Sequence, residues 1–146
     1  MEEATTAKQY LLQLPRLKVM IDQKLEEKES LRASLGSMSI DYTSEQVRSG
    51  LYRNQSFFAE KISKIVDLES EIDSMLLLFI EKQHEIVGKI HLLTDIKYIQ
   101  LLFKRYVENK RFEQISEEMF LDYNYVRRLH FQAVDSFQKT NKNLHF

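Results

Sequence analysis

Between residues 14 and 35 the apolar positions Leu14, Leu17, Ile21, Leu25, Leu31 and Leu35 return at three- and four-residue steps in a charged background. That spacing lays a narrow apolar stripe along one face of a helix. Ahead of it, residues 5–14 read as a short helix that stops or kinks at Pro15, because proline cannot continue a helix interior. Gly36 is placed to end the striped helix. Residues 36–55 hold two of the three glycines and much serine, and are expected to be a loop. A longer helix then runs from about Ser56 to about Leu93, with Phe58, Ile62, Ile65, Leu68, Ile72, Met75, Phe79, Ile86, Ile90 and Leu93 on one seam. The segment after it is too small to bury such a seam. Its natural partner is the 16–35 helix folded back antiparallel, or another subunit. Around Leu76, Leu77, Leu78 and Ile80 the stripe becomes nearly all-round, so these four are candidates for an oligomer contact or for intramolecular core.

The pattern shortens after Leu93. Thr94-Asp95 reads as a helix start, and Ile96–Glu108 as a helix with Leu101, Leu102 and Tyr106 inward, ended by Asn109-Lys110. Phe112–Met119 follows with Ile115 and Met119 inward. Phe120-Leu121-Asp122 is the turn, and Asp122 is placed to cap the last helix. On that helix Val126, Leu129, Ala133 and Phe137 fall within about 80° of arc, which defines a buried face. His130 lies about 40° from Val126, at the edge of that face, and reads as a structural histidine. The expected fold is all-α: a long antiparallel helical hairpin or coiled-coil arm over 1–93, then a three-helix helix-turn-helix domain over 94–146.

Composition agrees with this outline. Three glycines and one proline in 146 residues leave little turn chemistry for a sandwich or barrel. There is no cysteine, so disulfides and thiolate metal sites are excluded, as a reducing cytoplasm would allow. MEEATTAKQY is unlike a secretion signal, and no apolar run approaches the roughly 20 residues that span a bilayer. A cytoplasmic protein with no membrane partner is expected. Charge is uneven: residues 1–96 carry 12 Lys/Arg against 16 Asp/Glu, a balance of −4, and residues 97–146 carry 9 against 6, a balance of +3. A basic module beside an acidic arm points toward phosphate-bearing partners, though the excess is small.

The outward face of the last helix carries the candidate chemistry. Helices presented after such a turn enter the major groove of DNA, and their first turns reach base edges. Asn124, Tyr125, Arg127, Arg128 and Phe131 are therefore the base-contact candidates: arginine forks onto guanine, asparagine pairs with adenine, and Phe131 could meet a thymine methyl. Lys104, Arg105, Lys110, Arg111, Gln132, Lys139 and Lys142 are the phosphate-contact candidates. Enzymatic patterns are missing. Gly36, Gly50 and Gly88 are isolated, so no phosphate-cradling glycine loop is present. His84 and His91, seven residues apart on a helix, are about 10 Å apart along its axis, too far to share one metal ion. The carboxylates Glu69, Glu71, Asp73, Glu81 and Glu85 alternate with lysines in the manner of a wet helix face. No enzyme, cofactor or metal is expected.

The string LLFKRYVENKRFEQISEEM, followed by YVRRLHFQAVDSF, resembles the sigma-factor region-4-like helix-turn-helix of RinA/ArpU-type phage transcriptional regulators. RYVE at 105–108, FEQIS at 112–116 and RRLHFQA at 127–133 carry the resemblance. AKQYLLQ at 7–13, VRSG at 47–50 and KISKIVDLESEI at 61–72 extend it over nearly the whole chain, less specifically. The resemblance implies a DNA-binding activator of phage late genes, such as packaging and lysis operons, working in the bacterial cytoplasm. Partners implied are double-stranded DNA, RNA polymerase and further copies of the chain as a dimer or small oligomer. Two alternatives stand beside it: a small-terminase-like recognition subunit for DNA packaging, and a helical protein-interaction module that inhibits a host factor. Phe120-Leu121-Asp122 departs from the small or polar residues commoner at such a turn, which leaves the start of the last helix open by about a residue.

Overall fold

The computed structural model describes residues 6–36 and 47–146, with side chains of the second stretch from residue 55 onward. All regular structure among the described residues is helical. The helices are α1 (Ala7–Leu11), α2 (Gln13–Gly36), α3 (Val47–Ile90), α4 (Ile96–Leu102), α5 (Phe112–Met119) and α6 (Tyr123–Thr140), with a π-helical turn at Phe103–Val107 after α4. The chain forms two compact units. One comprises the chain up to Lys18 together with Leu78–Phe146, the other Val19–Leu77. This division differs from a boundary at residues 93/94, because the N-terminal helix and the end of α3 group with the C-terminal helices.

In the unit of residues 19–77, Ile21 of α2 and Ile65, Leu68 and Ile72 of α3 are buried. Lys24 pairs with Glu71 at 2.9 Å, Arg32 with Glu69 at 3.0 Å, and the Lys61 ammonium donates to Ser34 Oγ at 2.8 Å. Positions rise along α2 as they fall along α3, so the pair is antiparallel as expected. These ion pairs are exposed and contribute little to stability, but they mark the register. The seam is incomplete: Leu25, Phe58 and Ile62 remain exposed. Leu76, Leu77, Leu78 and Ile80 are likewise exposed within the single chain.

Three sequence expectations need correction. α3 begins at Val47, so residues 47–55 are helical and not loop, while residues 37–46 lie outside the described residues. One isolated glycine costs a helix only about 0.5–1 kcal/mol, too little for Gly50 to break it. The break near the N-terminus falls at Leu12, not at Pro15. Pro15 sits in the first turn of α2, where backbone N–H groups have no helical partner and its missing donor costs nothing. Finally, α3 ends at Ile90, three residues before Leu93.

The core of the other unit gathers Tyr10, Leu11 and Leu14 from the N-terminal helices, Ile86 and Ile90 from α3, Leu101 and Leu102 from α4, Ile115 from α5, and Val126, Leu129, Ala133 and Phe137 from α6. The four α6 residues are those the wheel placed inward. α1 is held by more than apolar contact. Thr6 and Gln9 form a capping box, the Ala7 N–H donates to Gln138 Oε1 at 2.6 Å, and the Tyr10 hydroxyl donates to Glu85 Oε1 at 2.6 Å. The Tyr10 hydrogen bond holds the Glu85 carboxyl below its ordinary range, and burial together with Glu85 pushes the Tyr10 phenol up. Leu144, beyond α6, is also buried.

Candidate nucleic-acid interface

Asp95 caps α4 by accepting from the Lys97 N–H at 2.9 Å. The helix expected over Ile96–Glu108 then widens into the π turn, closed by Glu108 N–H to Phe103 O at 3.0 Å, and leaves through Asn109 at φ 55°. Asparagine tolerates that left-handed conformation better than most residues. α5 ends in a Schellman motif: Phe120 N–H bonds to Glu117 O and Leu121 N–H to Ser116 O. Phe120, where glycine is usual, takes φ 55° with its ring 93% exposed. Asp122 then accepts from the N–H groups of Asn124 (3.1 Å) and Tyr125 (3.4 Å), which fixes the start of α6 at Tyr123.

The expected base-contact residues do not all stay together. Asn124, Arg127, Arg128 and Phe131 line one open surface with Asp122. Neither arginine has a carboxylate partner among the described residues, and Arg127 lies 5.8 Å from the Tyr123 ring. Phe131 is 66% exposed. Tyr125 is separate: it packs against the core half-buried, with the Lys97 ammonium 5.8 Å from its ring.

The expected phosphate-contact residues sort by their partners. Lys104 bonds to Glu118 at 3.4 Å, and Lys110 bonds to Glu118 at 2.6 Å and to Glu108. Those carboxylates raise the Lys110 pKa, and Lys110 in turn holds Glu118 below its ordinary range. Lys139 pairs with Asp135 at 3.0 Å. Gln132 accepts a long hydrogen bond from Tyr98 at 3.5 Å. Arg105 donates to the Lys110 carbonyl at 3.0 Å and lies 4.2 Å over the Phe112 ring, with no carboxylate partner among the described residues. Arg111 and Lys142 are exposed.

His130 is 7% exposed, its Nε2 2.7 Å from the Tyr106 hydroxyl and its ring 5.0 Å edge-on to Phe112. Burial lowers its pKa to about 4, with Arg105 and Lys8 adding to the effect, and burial raises Tyr106 to about 12. The imidazole is therefore neutral at pH 7. It sits under the surface as a packed, hydrogen-bonded core residue, as its wheel position indicated.

His84 and His91 are exposed, and no group of three or more metal-ligating side chains occurs among the described residues. No described helix is long and apolar enough to cross a membrane. Sequence reasoning missed Lys8, which reaches this side of α6 from α1. The only signal for it was the short helix expected over residues 5–14, for which the sequence indicates no partner. Comparison with known protein families, curated proteins and solved structures gives no match to the chain.

Proposed function

We propose that this protein is a sequence-specific DNA-binding transcriptional regulator whose α6 reads the major groove. The observation that carries this reading is the solvent-facing edge of the first turns of α6. Asn124, Arg127 and Arg128 share one open surface there with Asp122, and neither guanidinium makes an ion pair among the described residues. The Asp122 cap and the Schellman turn hold α6 by its N-terminus, the end that meets bases in helix-turn-helix docking. The resemblance to phage regulators supports phage late genes as targets and RNA polymerase as a further contact. Exposed Leu76, Leu77, Leu78 and Ile80 support assembly as a dimer or small oligomer, which would double the phosphate contacts of a weakly basic reader. A strictly monomeric mass in light scattering would remove that part of the proposal.

The test is a mobility-shift titration on DNA upstream of the protein's own and neighbouring operons. A protein-dependent shift on a defined fragment is expected. Absence of any shift at low salt would sink the reading. Arg127→Ala and Arg128→Ala should each weaken specific binding by about 1–3 kcal/mol if the arginine meets a base. A phosphate contact would instead make the salt slope shallower by about one unit.

A second reading, a helical module that binds a host protein, is favoured by the exposed rings of Phe120 and Phe131. It predicts a stable complex in pull-down and no salt-dependent affinity for DNA.

A further inference from the structure

We propose that Lys8, Arg105 and Arg127 form a docking pocket for a backbone phosphate of the bound DNA, next to the edge of α6 that meets the bases. The proposal rests on the DNA-binding reading above. The three cations come from three elements: Lys8 from α1, Arg105 from the π turn and Arg127 from α6. They surround a concave pocket of about 190 Å³ whose apolar wall includes Leu12, Phe112 and Phe131, with His130 beside them. One water needs only ~10–15 Å³ of such space, so a phosphate group fits.

Charge distinguishes this pocket from the two neighbouring concave surfaces, which include Asp135 and Asp122. No Asp or Glu lines it, and none of its three cations makes an ion pair among the described residues. Lys104, Lys110 and Lys139 are all held by carboxylates nearby. Three like charges converging without a counter-ion repel one another, and an anion between them relieves that repulsion.

Arg105 is also preorganised. Its bond to the Lys110 carbonyl and its stacking on Phe112 fix the guanidinium while leaving other N–H groups to donate, which lowers the entropy cost of a phosphate contact. The π turn that carries it is a rare helical form, frequent at functional sites. The neutral His130 beneath reports the same convergence, since Arg105 and Lys8 both act to lower its pKa. Arg127 and Phe131 line both this pocket and the open surface with Asn124 and Arg128. A phosphate seated here is therefore adjacent to the groove-facing edge.

The experiment measures duplex affinity at several salt concentrations for the full chain and for Lys8→Ala. Lys8 is exposed and its side chain makes no described hydrogen bond or ion pair, so the variant should melt as the wild type does. The log–log salt slope is expected to become shallower by about one unit, with affinity falling equally on specific and unrelated duplexes. Lys8→Arg should restore the slope, and Lys64→Ala, an exposed lysine of α3, should leave it unchanged. Wild type that binds DNA beside a Lys8→Ala variant with an unaltered slope overturns the pocket and leaves the DNA-binding reading standing. An equal loss of slope in Lys64→Ala also overturns it. A wild type that binds no duplex at low salt overturns the reading itself, and the pocket with it.

Discussion

Replacing Phe137 by alanine should destabilise the unit that contains α6 by about 3–5 kcal/mol, the usual cost of emptying a buried phenylalanine site. Phe137 is fully buried, and its ring lies 6.1 Å from that of Tyr10. The cavity would open between α1 and α6, where Gln138 already holds the first N–H of α1. Relaxation by collapse is restricted there, because the Tyr10 hydroxyl is anchored to Glu85. A domain has only about 5–15 kcal/mol to lose, so a large part of its stability is at stake. Urea unfolding followed by circular dichroism measures the loss. Phe137→Leu, which refills most of the space, should lose much less. A Phe137→Ala penalty below about 1 kcal/mol would mean that α1 is not packed on α6.

Mild acidification is the second expected perturbation. An unfolded histidine titrates near 6.5, whereas His130 in the folded chain titrates at about 4. The unfolded chain thus binds the proton more readily. Stability from the neutral imidazole is complete above pH 6.5 and is lost progressively as pH falls toward 4. The loss between about pH 6.5 and about pH 4 has a ceiling of about 3–4 kcal/mol, at 1.36 kcal/mol for each tenfold difference in proton affinity. The groups facing His130 reinforce this sign. Arg105 and Lys8 disfavour a further positive charge there, Arg127 lines the same pocket, and Asp135, beyond Phe131, is already paired with Lys139.

The carboxyls of Glu85 and Glu118 are held low and lose their contribution only below about pH 4.5, so the higher window belongs to His130. Melting temperature measured from pH 7 to pH 4 should fall across that window. His130→Gln, which can keep a hydrogen bond to Tyr106, should flatten the curve between pH 6.5 and 4.5. A wild-type curve already flat there would show that the imidazole is not buried neutral.

What could be read from the residues in advance was local in origin. The bounds of α5, the Asp122 cap and the inward positions of α6 follow from spacings of a few residues. So does the placing of His130 at the edge of the buried face. Features that were not legible depend on partners far away or on conformations without a signature residue. Ala7 meets Gln138 across 131 positions, and Tyr10 meets Glu85 across 75. Phe120 adopts the left-handed conformation without being glycine, and the π turn has no composition of its own. The candidate site divided for a related reason. Which lysines face solvent alone depends on whether Glu118 or Glu108 comes within reach, and only the folded turn decides that.

The closure of α1 against α6 also sets an order of events during synthesis. Phe137 and Gln138 leave the ribosome only ~130 residues after Lys8, Tyr10 and Leu11. At roughly 5–20 residues per second this is a delay of about 7–26 s. During that interval Tyr10, Leu11 and Leu14 have no α6 to cover them. Pairing of α2 with α3 can proceed meanwhile, and each contact it makes shortens the loop that the final docking must close. Completing the module that carries α6 thus joins two helices whose synthesis is separated by seconds.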